Sequence, residues 1–452
     1  MGEQRHVFVF GLDDFHRHEL ATIAGGERIA FHQLLEHDEA IHPERFPVDA
    51  MLARSEEILD AFPGAVDAVC TYWDFPTSTL VPLIRAHFGL PGADLNAVLK
   101  LEHKYWARLE QQKVVPEMIP RFAAIDPFAK NPAADLSLDY PFWIKPIKAH
   151  SSYLGFRIDN AADLESALAA IRGGIEQFAK PFNQILEHAQ LPEPIAEIDG
   201  FHCIAEEIIS AGAQCTLEGY AHKGEVEIYG IVDSVRGGRH RSSFTRYQYP
   251  SSLPRSVQAR MTEAAVRVIK QAGYEEAPFN IEFFWDRKRD VITLLEANAR
   301  CSKSHSPLFH RVDGASNLQV MVRLGLGEAP DFPHRQGDSQ VAAKFMLRVY
   351  RPGRVIRVPT NEDIERLYAR FPEARLRVLV HEGQDLTTLR FQDSYSYELA
   401  ELFLGGLSQP DMLSRYREAL EILDFQVSEP SSSSGRAAFQ KRKKPWVAAG
   451  QS

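Results

Sequence analysis

"FNIEFFWDRKRDVITLLEANAR", residues 279–300, decides how this chain is read. Two runs of aromatic, β-branched and leucine side chains flank "DRKRD", the pattern of a β-hairpin closed by a charged turn. Side chains in a strand alternate between faces, so Glu296, Asn298 and Arg300 share one. A hairpin symmetric about Lys288 sets Glu282 against Leu294 and Glu296 against Asn280. The two glutamates are then diagonal neighbours on one face, roughly 7–8 Å apart. A one-residue slip sends them to opposite faces. Two carboxylates, an amide oxygen and an arginine suit a hard cation with phosphate: Mg²⁺ takes oxygen ligands, and arginine clamps phosphate or carboxylate bidentately. The same residue types also fit a solvent-facing hairpin with an ordinary salt bridge.

Upstream, "PFWIKP" (141–146) places Lys145 in an apolar strand, where a charge is costly unless paired. The loop behind it carries His150, Ser151 and Ser152, side chains able to reach phosphate. Lys148 is less constrained. "IAEEIISAG" (204–212) sets Glu206 and Glu207 before a strand end at Ile209 that could offer its backbone to a flat base; it reads equally as an exposed strand end. Downstream of the hairpin, Ser302, Lys303, Ser304 and His305 sit where a second substrate could lie, although His305 reads as well as a structural histidine. The arginine-rich stretch 236–250 reads as a mobile loop, with Arg246 its candidate for an anionic substrate and a solvated basic loop as the plain alternative.

Of the 452 residues, 44% are hydrophobic and 25% charged, which describes a globular chain too long for one ordinary domain. A net charge of −10 argues against nucleic acid or an anionic membrane as the main partner. The four cysteines, Cys70, Cys203, Cys215 and Cys301, show no CxxC pair, so reduced thiols in the cytoplasm are expected. The first residues lack the pattern of a signal peptide, and no apolar run approaches the roughly 18–20 residues of a membrane helix.

Strands alternating with helices predict a small parallel α/β unit over 1–95, without a GxGxxG turn. One helix is expected over 95–116, and further helices over 161–174 and 254–274. Strands dominate 201–235, and a last helix follows "YSYELAELFLGG". The serine-rich, basic segment 428–452 is expected to be disordered.

In this order, a helix lysine, a strand lysine with its loop, "EEII" and an E…ExNxR hairpin, the chain resembles the ATP-grasp superfamily, near its biotin carboxylase-like and amino-acid-ligase branches. The resemblance covers about residues 1–425. It implies an ATP-grasp fold, α/β and α+β multidomain, with a Rossmann-like pre-grasp domain at 1–95. The grasp would follow at 96–200, with its lid, and 201–335, with its metal hairpin, before an α+β subdomain at 336–427. It implies ATP contacts at Lys104, Lys145, His150, Ser151, Ser152, Glu206, Glu207 and Ile209, and Mg²⁺, or Mn²⁺ in its place, on Glu282, Glu296 and Asn298. Arg300 would hold an acyl phosphate or its parent carboxylate. The loop "KAHSSYLG" has one glycine where the family is glycine-rich, and Gln214 stands where a ribose-binding acid is common, with Glu218 four residues on. The implied activity is ATP-dependent ligation of a small carboxylate to an amine, in a possible homodimer. A bicarbonate-activating enzyme is the alternative, weakened by the absence of an AMKM motif, and a non-catalytic ATP-binding regulator is another.

Overall fold

The structure is a computed structural model that describes residues 4–41, 46–134, 136–149, 153–209, 212–238, 243–389 and 396–428. His150, Ser151 and Ser152 lie outside the described residues, as does the tail from 429.

A three-stranded parallel sheet opens the chain, with Arg5–Phe10 between Ile29–Leu34 and Ala68–Cys70. Alternation along the central strand sends Val7 and Val9 into one apolar cluster and Phe8 and Phe10 into another, so both faces are covered. The helix Thr77–Phe88 ends at Gly89 in the left-handed conformation, as its glycine predicts.

The single helix expected over 95–116 is two, Leu95–Glu102 and Lys104–Val114. The break is at His103, whose extended backbone lets its side chain cap the second helix through the Trp106 N–H. Lys104 is therefore a first-turn residue rather than one in mid-helix.

Four antiparallel strands follow in the order Phe122–Ile125, Cys203–Glu207, Phe142–Pro146, Phe156–Ile158. Phe142 and Ile144 pack with Leu164, Leu168 and Ile171 of the helix Ala161–Gly174. Period-two alternation turns Lys145 to the opposite face.

Eight antiparallel strands form the largest sheet, in the order Val291–Asn298, Ala277–Asp286, Ala213–His222, Glu225–Gly237, Ser243–Tyr249, Val341–Val349, Tyr397–Gly406, Arg375–Val378. Its apolar face packs Phe279, Ile281 and Phe283 against Met261, Ala265 and Val268 of the helix Arg255–Ala272. Strands from 201–335 and 336–427 thus share one sheet. Much of the segment read as a mobile arginine loop is an interior strand of it, Ser243–Tyr249. Its tyrosines at the alternating positions 247 and 249 fit a pleated, half-buried surface. Among the described residues, no helix is long and apolar enough to cross a membrane.

Candidate functional site

The hairpin forms at the predicted place with a different register. Asp286 pairs with Val291 and Phe283 with Leu294, but Glu282 pairs with Glu296 and Asn280 with Asn298. Leu295 is the extra residue of a β-bulge. This bulge decides the site. Ile292 and Leu294 point into the core, so strict alternation would bury Glu296 beside them. The inserted residue switches the parity, sending Ala297 inward and Glu296 and Asn298 to the other face. The two glutamates are directly opposed, not diagonal as the symmetric hairpin predicted.

Burial and the facing Glu296 push the Glu282 carboxyl up to about 7, against hydrogen bonding from Gln214 and the charges of Arg300 and Arg236. The Gln214 Nε2–H donates to Glu282 at 2.7 Å, and its Oε1 accepts from Arg236 at 2.9 Å. Gln214 therefore spends its side chain on the carboxylate pair. Asn298 donates its amide N–H to Asn280 at 3.0 Å, leaving its oxygen for a cation. The described residues contain no cluster of three or more His, Cys, Asp or Glu able to hold a metal alone. Two opposed carboxylates and an amide oxygen fit Mg²⁺ completed by phosphate and water.

The lysine strand meets this face across Arg108, a residue the sequence reading passed over. Its guanidinium donates to Glu206 Oε1 at 2.5 Å, to Gln111 at 2.8 Å, and to the carbonyls of Leu294 at 3.2 Å and Leu295 at 2.7 Å. It thus clamps the bulge to the strand that carries Glu206. Lys145 pairs with the other Glu206 oxygen at 2.7 Å. Burial raises the Glu206 carboxyl, but Arg108 and Lys145 outweigh it and hold it at about 2. Glu206 is a buried counter-ion to both cations. Glu207 points the other way, to Arg121 at 2.7 Å, and Ile209 ends the described hinge.

Lys104 donates to the Ala149 carbonyl at 3.0 Å, at the end of the described segment 136–149. Burial, then Lys148 and Lys145, lower its ammonium to about 7, while Glu296 and Asp74 pull it up. Lys148 is committed to the buried Glu102.

Arg300 donates to Asp74 at 2.5 Å, which ties the hairpin to the loop after the parallel sheet. Burial disfavours its charge, yet Asp74 raises its pKa overall. Beyond it, buried Glu218 accepts from the Ser302 N–H at 3.2 Å, pairs with His305 Nδ1 at 2.8 Å and accepts from Tyr229 Oη at 3.2 Å. His305 and Glu218 therefore shape the turn that presents Lys303.

Arg246 is not brought to this face. Tyr247 and Lys344 look toward His305 and Ser304, whereas Arg246 and its cross-strand neighbour Phe345 line a cavity of about 260 Å³ on the other side, with Leu413 and Tyr416. One residue of strand alternation makes the difference.

Residues 138–306 match the family model of the ATP-grasp domain. Urea amidolyase of Saccharomyces cerevisiae is 23% identical over 343 residues, 73% of this chain and 16% of that protein, and urea amidolyase of Lachancea kluyveri is 22% identical with the same coverage. The chain thus spans about one sixth of the length of these curated relatives. Among solved structures, L-amino acid ligase from Bacillus licheniformis aligns with a TM-score of 0.72 at 16% identity, over 95% of this chain and 100% of that one. Biotin carboxylase from Campylobacter jejuni aligns with a TM-score of 0.57 at 13% identity, over 98% and 96%. At these identities the likeness is one of fold. The matched segment, which contains the lysine strand, the hinge and the bulged hairpin, is the part of the chain that matches the ATP-grasp domain.

Proposed function

We propose that this chain is an ATP-dependent ligase that phosphorylates a carboxylate and couples it to an amine, releasing ADP and phosphate. The observation that carries the reading is the opposed Glu282–Glu296 pair beside Arg300, where the loop after the parallel sheet contributes Asp74 and the four-stranded sheet Lys145.

In this reading, Lys145 and Lys104 bind the phosphates, with His150, Ser151 and Ser152 as further phosphate contacts, and the backbone at Ile209 meets the adenine. Glu282, Glu296 and Asn298 would hold Mg²⁺, which when bound would supply charge neutralisation for the transferring phosphoryl group. Arg300 binds the carboxylate by its fork and keeps its charge through Asp74. A carboxylate oxygen attacks the γ-phosphorus as the bond to ADP breaks. The amine then attacks the acyl carbon, phosphate leaves with the bonding pair, and the amine loses a proton. The protein's share is positioning and charge neutralisation, in keeping with the absence of an activated nucleophile from this reading. The divisions at 95, 200 and 335 remain our assignment of pre-grasp, grasp and carboxy-terminal parts.

The first test is Mg²⁺-dependent ADP formation with carboxylates and amines supplied singly and in pairs, and with bicarbonate. ADP and phosphate that require both partners support ligation. AMP and pyrophosphate would overturn it, and bicarbonate-dependent ADP would move the assignment to a carboxylase. Glu296→Gln should lower the rate by about 10²–10³, the scale of one lost electrostatic stabiliser. In the ligand-free chain it also relieves like-charge repulsion, so its Tm should equal or exceed that of the wild type. A clear loss of Tm would mean that the pair is structural.

A further inference from the structure

Three residues past Arg300, the Lys303 ammonium lies 3.0 Å from the centroid of the Trp73 ring. Among the described residues it makes no hydrogen bond and no ion pair. The other cations whose fields reach it are committed. Arg300 is paired with Asp74, Lys344 with Glu401 at 2.5 Å, and Arg377 with the same glutamate at 3.5 Å. Of the carboxylates whose fields reach Lys303, Glu401 is held by Lys344 and Arg377, and Asp13 is hydrogen-bonded to His16 Nδ1 at 2.6 Å. His16 itself is stacked on Tyr72, and burial holds its ring pKa down. Of these four cations, Lys303 alone has no carboxylate within ion-pair distance among the described residues.

An ammonium in this position is expensive. Burial, then Lys344, Arg300 and Arg377, push Lys303 down to about 7, with the fields of Asp13 and Glu401 opposing them. The Trp73 ring recovers part of the lost hydration, yet a lysine that served packing alone would extend its head into water. A charged group held partly dry without a partner is the arrangement expected of a site that waits for an anion.

We propose that Lys303, braced on Trp73, receives a second carboxylate of the substrate pair, one that is not activated. The inference rests on the ligase reading and narrows it. Either the acceptor is an amino acid that keeps its own carboxylate, or the donor is a dicarboxylate. Both present the same chemistry to the ammonium. The site therefore selects against plain amines paired with monocarboxylates.

The test compares wild type, Lys303→Met and Lys303→Arg in Mg²⁺-dependent ADP formation. Alanine is set against ethylamine as acceptor, and succinate against succinamate as donor, each with a common partner. Lys303→Met should raise KM for the carboxylate-bearing member of one pair about tenfold or more, the scale of a lost charge-assisted hydrogen bond. The member without the carboxylate should change far less, and Lys303→Arg should stay nearer the wild type. The pair that responds assigns the source. Unchanged discrimination in both pairs overturns the proposal. If no pair turns over in the wild type, the ligase reading fails for this panel, and calorimetric titration of alanine and succinate in the presence of Mg·ADP decides the site. Binding that is lost in Lys303→Met sustains it; equal binding, or none in either protein, refutes it.

Discussion

Arg300→Ala should lower carboxylate-dependent ADP formation by about 10²–10³, while the affinity for ATP stays close to that of the wild type. The asymmetry follows from position. The nucleotide cations we propose, Lys104 and Lys145, are held by the Ala149 carbonyl and by Glu206, neither of which touches Arg300. Arg300 instead reaches Asp74, at the mouth of the parallel sheet. Its loss removes the arginine that we propose for the substrate carboxylate. Arg300→Lys should recover little, because an ammonium cannot make the paired contacts of a guanidinium. Stability should fall only modestly, since the side chain of Asp74 is 32% exposed and water can solvate it. Initial rates against carboxylate concentration, with a parallel ATP-binding measurement, check both halves. A rate within tenfold of wild type would take Arg300 out of the chemistry.

Arg108→Ala should be the most damaging single change to the fold, at about 3–5 kcal/mol, the cost of breaking a buried charge pair. Its side chain is 4% exposed and serves a carboxylate, an amide and two carbonyls. Those carbonyls belong to Leu294 and Leu295, the residues at the bulge, so truncation also loosens the feature that aims Glu296. Activity and stability should therefore fall together, whereas Glu296→Gln separates them. Chemical denaturation reads the first effect, and a variant within about 1 kcal/mol of wild type would contradict it.

The same cluster predicts an acid limit. Glu206 is held at about 2 in the folded chain, below the roughly 4.3 of an unfolded glutamate. Its contribution is complete above the unfolded value and is lost as pH falls from there toward 2. In Arg108→Ala the folded pKa rises toward the unfolded one, so this component of acid sensitivity should shrink. Tm measured between pH 3 and 7 on both proteins tests the sign.

The residue types of the site were legible because they are locally encoded. Glu282, Glu296, Asn298 and Arg300 stand out as polar groups in a strand pattern, and Lys145 as a charge in an apolar one. The helix over 161–174 and the glycine that ends Thr77–Phe88 follow from periodicity and cap chemistry. Strand alternation also decided wrongly where its premise failed. Arg246 sits in a strand that was read as a loop, and the hairpin is centred past Lys288, pairing Asp286 with Val291, and carries a further extra residue at Leu295.

What the sequence by itself determined was the set of groups: two glutamates, an asparagine and an arginine on one strand face, a strand lysine upstream, and the order of elements that carries them. The tertiary structure alone decided which of them meet. Arg108 and Glu206 are 98 residues apart, and Asp74 and Arg300 are 226 apart. The bulge, the counter-ion of Lys145 and the bare ammonium of Lys303 all depend on such distant neighbours. Local pattern specifies the direction of a side chain relative to its own element, but whether a charge is paired, clamped or left waiting is settled only when separate sheets pack together.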